Sequence, residues 1–97
     1  MDLRQLKYFV QTVESGSLSK AARQLDIVQP ALSQQMARLE EEVGKPLLVR
    51  SAQGVVPTES GRALYHHALF VLRQLSEAVT IARQEQAEIG GRVTVGL

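Results

Sequence analysis

A chain of 97 residues suits one small domain plus an arm. Eleven Lys and Arg against ten Asp and Glu leave it near neutral, so net charge alone does not point to nucleic acid. Cysteine is absent, which excludes a disulfide framework and thiol chemistry, and no apolar run approaches membrane-spanning length.

Met1-Asp2 passes directly into a helix pattern, so no signal peptide is expected. Leu3, Leu6, Phe9, Val10 and Val13 form one apolar face, and Phe9 is the large aromatic available to a core. Arg4 and Lys7 lie off this stripe, as solvated charges or within reach of a phosphate.

From Gly16 to Val43 two helix patterns flank a tight break. Ser17 is an N-cap residue type, and Leu18, Ala21, Ala22 and Leu25 are the apolar positions that follow. The small Ala21-Ala22 pair lets a neighbouring helix approach closely. Ile27 plugs the turn between the helices. The second helix is expected to start at Gln29 or one residue to either side, because Pro30 suits a first helical position. Its inward stripe is Leu32, Met36, Leu39 and Val43, and Gly44 and Pro46 stop it. A helix-turn-helix over about residues 18–37 follows, and it points to DNA as the ligand.

The outward face of the second helix carries Pro30, Ser33, Gln34 and Ala37, with Gln29 on its flank. Glutamine pairs bidentately with adenine, and a serine hydroxyl meets a base or a phosphate. Gln29, Pro30, Ser33 and Gln34 are therefore the candidate base contacts. Ser17, Ser19, Lys20 and Arg38 are candidate backbone contacts. Glu40-Glu41-Glu42 would be repelled by phosphates, so the amino-terminal half of the helix should enter the groove, with its positive dipole end forward.

After Pro46 the period changes. Leu47-Leu48-Val49-Arg50 and Val55-Val56-Pro57-Thr58 flank Ser51-Ala52-Gln53-Gly54, a small hairpin in which Gly54 takes a positive φ. Pro57 cannot donate to a ladder and belongs at a strand end. A hairpin after a recognition helix is a wing. Arg50 is its only cation and best backbone contact, with Gln53 and the Gly54 amide next.

Thr58 caps a helix predicted over residues 59–89, about 45 Å long. Leu64, Ala68, Val71, Leu75, Ala78, Ala82 and Ile89 make one stripe, and Tyr65, Leu69, Leu72 and Val79 a second beside it. A lone winged domain cannot cover both. One stripe should dock on the chain's own domain and the other on a second copy or, in the competing reading, on a further domain of the same chain; Leu64, Ala68, Val71, Leu75, Ala78 and Ala82 are assigned to a homodimer seam. Gly90-Gly91 reads as a hinge, and residues 92–97 as the first strand of a further domain. The expected organisation is a winged helix-turn-helix over 1–58, a dimerisation linker helix over 59–89, and a hinge and strand over 90–97.

These residues resemble the amino-terminal part of the LysR-type transcriptional regulators. The resemblance rests on Leu3-Arg4-Gln5-Leu6-Lys7-Tyr8-Phe9, Gly16-Ser17-Leu18-Ser19-Lys20-Ala21-Ala22, Gln29-Pro30-Ala31-Leu32-Ser33-Gln34-Gln35, Leu39-Glu40-Glu41-Glu42-Val43-Gly44, Pro46-Leu47-Leu48-Val49-Arg50 and Pro57-Thr58-Glu59-Ser60-Gly61, in order along nearly all of the chain. Residues 28–35 and 54–58 look more like the nitrogen-assimilation-control branch. The resemblance implies a bacterial, cytoplasmic regulator of mainly α fold. It implies binding to double-stranded operator DNA as a homodimer, and a tetramer in the intact protein, with no membrane partner. It implies no cofactor in this stretch and a small-molecule inducer in a two-lobed effector domain. It places Gln29, Pro30, Ser33 and Gln34 in the major groove, and Arg50 and Gln53 in the wing. Relatives commonly carry Ser or Thr where Val28 stands, and Arg at Gln34 and near Gln53; glutamine there weakens the electrostatic grip.

An enzyme is not expected. His66-His67 are adjacent and point about 100° apart on a helix, whereas zinc-binding pairs need an i, i+4 spacing. There is no glycine-rich phosphate loop. The competing function is a helical interaction module that dimerises and binds protein rather than DNA; phosphate-mediated binding weakens steeply with salt, and an apolar interface does not.

Overall fold

In the computed structural model, which describes residues 1–88 and the side chains as far as Gln84, the order is three helices, a hairpin and a long helix. Helix α1 spans Leu3–Ser15, α2 Leu18–Leu25 and α3 Gln29–Val43; strands β1 and β2 span Leu48–Ser51 and Gly54–Pro57; α4 spans Glu59–Glu88. The readings of Ile89, the hinge and the terminal strand lie outside the described residues.

Each boundary has a local cause. Asp2 accepts from the Gln5 N–H at 2.8 Å and opens α1; Gly16, at φ 70°, closes it. Ser17 opens α2 by accepting from the Lys20 N–H at 3.2 Å. Asp26 closes α2 at φ 61°, the one non-glycine among the described residues with positive φ, a conformation that Asp tolerates better than most. Helix α3 has no side-chain cap, because Val28 stands at that position. Val28→Thr should therefore stabilise the fold by about 1 kcal/mol. Thermal denaturation checks this, and an unchanged or lower midpoint contradicts it.

Phe9, Leu32, Met36, Leu39 and Leu47 are almost fully buried, and with Leu18, Ala21, Ala22, Leu48 and Val55 they form the main core where α1, α2, α3 and the hairpin meet. Ile27 is half-buried against it, as its place in the turn suggests. Thr12 is completely buried, which periodicity does not foresee; its hydroxyl donates to the Tyr8 carbonyl at 2.8 Å and so brings no unpaired polar group inside.

Two apolar positions expected inside are not. Leu3 and Val43 are each 42% exposed. They sit at the free ends of α1 and α3, where the helices overrun the core. Strand β1 pairs antiparallel with β2 in the register Leu48 with Pro57 and Ser51 with Gly54, so Pro57 lies at the strand end. Leu47 and Thr58 fall just outside the hairpin.

Helix α4 corrects the seam assignment. Ala68 is only 1% exposed and packs with Leu6 and Val10 of α1, while Leu64, Tyr65, Val71 and Leu72 pack around them. The first half of α4 thus lays members of both stripes on its own domain. Ala68 is therefore not free for a partner, while Leu64 and Val71 keep part of their surface exposed. Every described residue from 73 to 84 is exposed, including Leu75, Ala78, Val79 and Ala82. The reason is length: α1 has 13 residues and α4 has 30, so the distal part of α4 extends beyond every other described element. The Tyr65 hydroxyl ties the proximal part to α1 by donating to Glu14 at 2.8 Å. That bond, with some burial and the carboxylate's charge, raises the phenol above its ordinary pKa.

Candidate nucleic-acid interface

The amino-terminal ends of α2 and α3 and the tip of the hairpin converge on one open concavity of about 350 Å³. Its walls include Ser17, Ser19, Gln29, Arg50, Gln53 and Gly54, residues that are far apart in sequence. Three elements bring them together. Ser17 and Ser19 come from the start of α2, Gln29 from the first position of α3, and the rest from the wing.

Helix α3 presents its tip without covering it. Gln29, Pro30 and Gln34 are exposed, and Ser33 is half-buried. The Ala31 and Leu32 N–H groups both donate to the Val28 carbonyl, at 3.1 and 3.2 Å. Pro30 has no N–H. The absent side-chain cap leaves the helix start bare, with its positive dipole end facing outward. The Gln29 amide oxygen accepts from the Ser19 hydroxyl at 3.1 Å, which holds the amide near α2 while its NH₂ remains a donor.

The wing is held firmly. The Val55 N–H donates to the Gly16 carbonyl at 2.9 Å, joining β2 to the corner between α1 and α2. At Gly54, φ is 134° and an added Cβ would stand 2.3 Å from the Gly16 carbonyl oxygen. Glycine is required there by both the backbone angle and the close approach. The positive φ was readable from the turn pattern; the contact with Gly16 was not.

Not every candidate joins the concavity. Lys20 is exposed on α2 and Arg38 is exposed further along α3, neither of them on its wall. Pro30, Ser33 and Gln34 follow along α3 outside it. Within the acidic run, Glu41 and Glu42 are exposed and Glu40 is half-buried. Glu40 turns toward the base of the hairpin, where its carboxylate accepts from the Leu47 and Leu48 N–H groups at 2.8 and 3.0 Å. Glu42 pairs with the amino group of Met1. A run of three acids reads as a solvated face, and nothing local distinguishes the one that folds inward.

The geometry offers hydrogen-bond donors and acceptors on a projecting helix end, one exposed guanidinium beside it, and a rigid hairpin. Among the described residues no group of three or more His, Asp and Glu could hold a metal ion, and no helix is long and apolar enough to cross a membrane.

Comparisons with known proteins give the family and the fold. Residues 3–62 match the family model described as bacterial regulatory helix-turn-helix protein, lysR family. The whole chain is 50% identical to the nitrogen assimilation regulatory protein Nac of Klebsiella aerogenes, of which it spans 32%, about a third. The fold is similar to the DNA-binding domain of BenM in its complex with benA site 1 DNA: TM-score 0.83, 42% identity, covering 87% of this chain and 98% of that one. It is also similar to the DNA-binding domain of CbnR in a DNA complex: TM-score 0.82, 36% identity, covering 87% of this chain and 97% of that one.

Proposed function

The chain belongs to the bacterial LysR family of helix-turn-helix regulators, and from that premise we propose that it binds double-stranded DNA in a sequence-dependent way and regulates transcription. The observation that carries this reading is the convergence of Ser17, Ser19, Gln29, Arg50, Gln53 and Gly54 around the bare amino-terminal end of α3. Helix α3 enters the major groove with that end foremost. Gln29, Pro30, Ser33 and Gln34 face base edges. Ser17, Ser19, Lys20, Arg38 and Arg50 are the sugar-phosphate contacts, with Gln53 and Gly54 at the wing tip. The relatives that support the proposal are regulators, not enzymes.

With a formal charge of +1, attraction must come from placed groups rather than from bulk charge. A single head then binds modestly, and two heads on one duplex raise the affinity by linkage. The dimer seam in this reading is the distal part of α4, through Leu75, Ala78 and Ala82 with Val79, which the fold leaves uncovered. The likeness to the nitrogen assimilation regulator supports that branch of the family. We assign a cytoplasmic location, response to a small-molecule inducer and tetramer formation to the intact regulator on the same grounds.

The test is selection from random duplexes followed by titration. Gln29→Ala and Ser33→Ala should each relax preference at one base pair, by about 1–3 kcal/mol. Arg50→Ala should weaken binding to all duplexes alike and reduce the salt slope by about one. Equal loss on selected and random DNA for Gln29→Ala contradicts its role at a base. Binding that does not change with salt contradicts the reading as a whole and favours a protein-interaction module.

A further inference from the structure

We propose that Glu40 is the positioning residue of the wing: from the far half of α3 it sets where Arg50 stands, without itself touching DNA. This deepens the DNA-binding reading and rests on it.

The geometry is specific. One oxygen of the Glu40 carboxylate accepts from two successive backbone N–H groups, Leu47 at 2.8 Å and Leu48 at 3.0 Å, in a part-buried site. Leu47 is 1% and Leu48 9% exposed, so water cannot readily replace that acceptor. Two N–H groups converging on one oxygen favour a charged acceptor over a neutral one. Leu48 is the first residue of β1, and Arg50 lies two residues further along the same strand. Strand geometry is stiff, so placing Leu48 places Arg50. The same segment is tied from its other side: the Thr58 N–H donates to the Leu47 carbonyl at 2.9 Å, and the Thr58 hydroxyl to the Pro46 carbonyl at 2.8 Å.

Glu40 thus belongs to the element that carries Gln29, while its hydrogen bonds fix the element that carries Arg50. It sets the offset between a groove contact and a backbone contact. Its effect on DNA is then opposite in sign to the one its charge suggests. A bare negative charge repels phosphates, and removing it tightens binding. A positioning carboxylate, when removed, leaves the Leu47 and Leu48 N–H groups unpaired, lets the start of β1 shift, and weakens binding.

The experiment is a double-mutant cycle with Arg50 on a duplex that the unaltered chain selects from a random pool. Glu40→Ala should bind about fivefold more weakly, the size of one lost phosphate contact, and show the reduced salt slope of Arg50→Ala. Preference at the base pair governed by Gln29 should persist. In the Arg50→Ala background, Glu40→Ala should change affinity less than about twofold, because the group it positions is gone. Glu40→Gln keeps an acceptor oxygen at the same reach but loses the charge, and should fall between the parent and Glu40→Ala. Glu40→Asp keeps the charge but is one methylene short, and should behave like Glu40→Ala. Tighter binding by both Glu40→Ala and Glu40→Gln overturns the proposal, as does an equal loss with and without Arg50, or parental binding by Glu40→Asp. A parent chain that selects no duplex overturns the DNA-binding reading itself, and this one with it.

Discussion

Gly61→Ala should destabilise the chain by about 3 kcal/mol or more, at the upper end of overpacking costs. On an isolated helix the same change stabilises by up to about 1 kcal/mol, because alanine is the better helix former. The fold reverses the sign. A Cβ at Gly61 would stand 2.0 Å from the Leu47 carbonyl oxygen and 2.9 Å from its carbon. Both are backbone atoms, so no side chain can swing away. Either α4 lifts from the domain or the Pro46–Leu48 segment shifts. The first loosens Ala68 from Leu6 and Val10. The second strains the Thr58 cap, in which the Gly61 N–H donates to the Thr58 hydroxyl at 3.0 Å. Thermal denaturation should show a fall of roughly 10 °C or more for a domain of this size. Arg62→Ala, at an exposed neighbouring position, should change little. A Gly61→Ala chain that melts at or above the parent would mean that α4 does not approach Leu47 so closely.

Leu75→Glu should dissociate the proposed homodimer. Leu75 is 41% exposed in the single chain and lies past the last residues that α4 packs on α1. In a two-fold seam one substitution places two carboxylates in an apolar contact. Desolvating them costs several kcal/mol, so the dimer constant should weaken by about 100-fold or more. Sedimentation should find monomers at concentrations where the parent is dimeric. Binding to an inverted repeat should fall toward that of a half-site, while half-site binding stays unchanged. Gln74→Glu, about 100° away around the helix, should leave the dimer intact. The reverse outcome, with Gln74→Glu disruptive and Leu75→Glu silent, would place the seam on the other face, where Phe70 and Ile81 are 48% and 56% exposed.

Much of the fold around the candidate site was legible because its signals are local. Ser17 caps α2, and Thr58 caps α4, as their residue types suggest. Pro30 and the Gln29 start of α3 follow from the fixed φ of proline. The hairpin follows from β-favouring runs around a glycine. The missing cap at Val28 was legible only through the resemblance, in which relatives carry Ser or Thr at that position. The seam assignment was less successful. A stripe at steps of four and three shows that a face is apolar, not what covers it. Leu64, Ala68 and Leu75 are equivalent in sequence pattern, yet the first two pack within their own chain and the third does not.

The sequence alone determined the helices, their ends, the helix-turn-helix and the residue types at its tip, because caps, breaks and periodicity act over a few neighbouring residues. Tertiary structure decided which stretch of α4 remains uncovered, which glutamate of the acidic run turns inward, and why Gly54 and Gly61 must lack a side chain. Those outcomes depend on where α1 ends beneath α4 and on how closely Gly16 meets the wing and Leu47 meets α4. Such approaches join residues remote along the chain, and no local pattern encodes the distance between them.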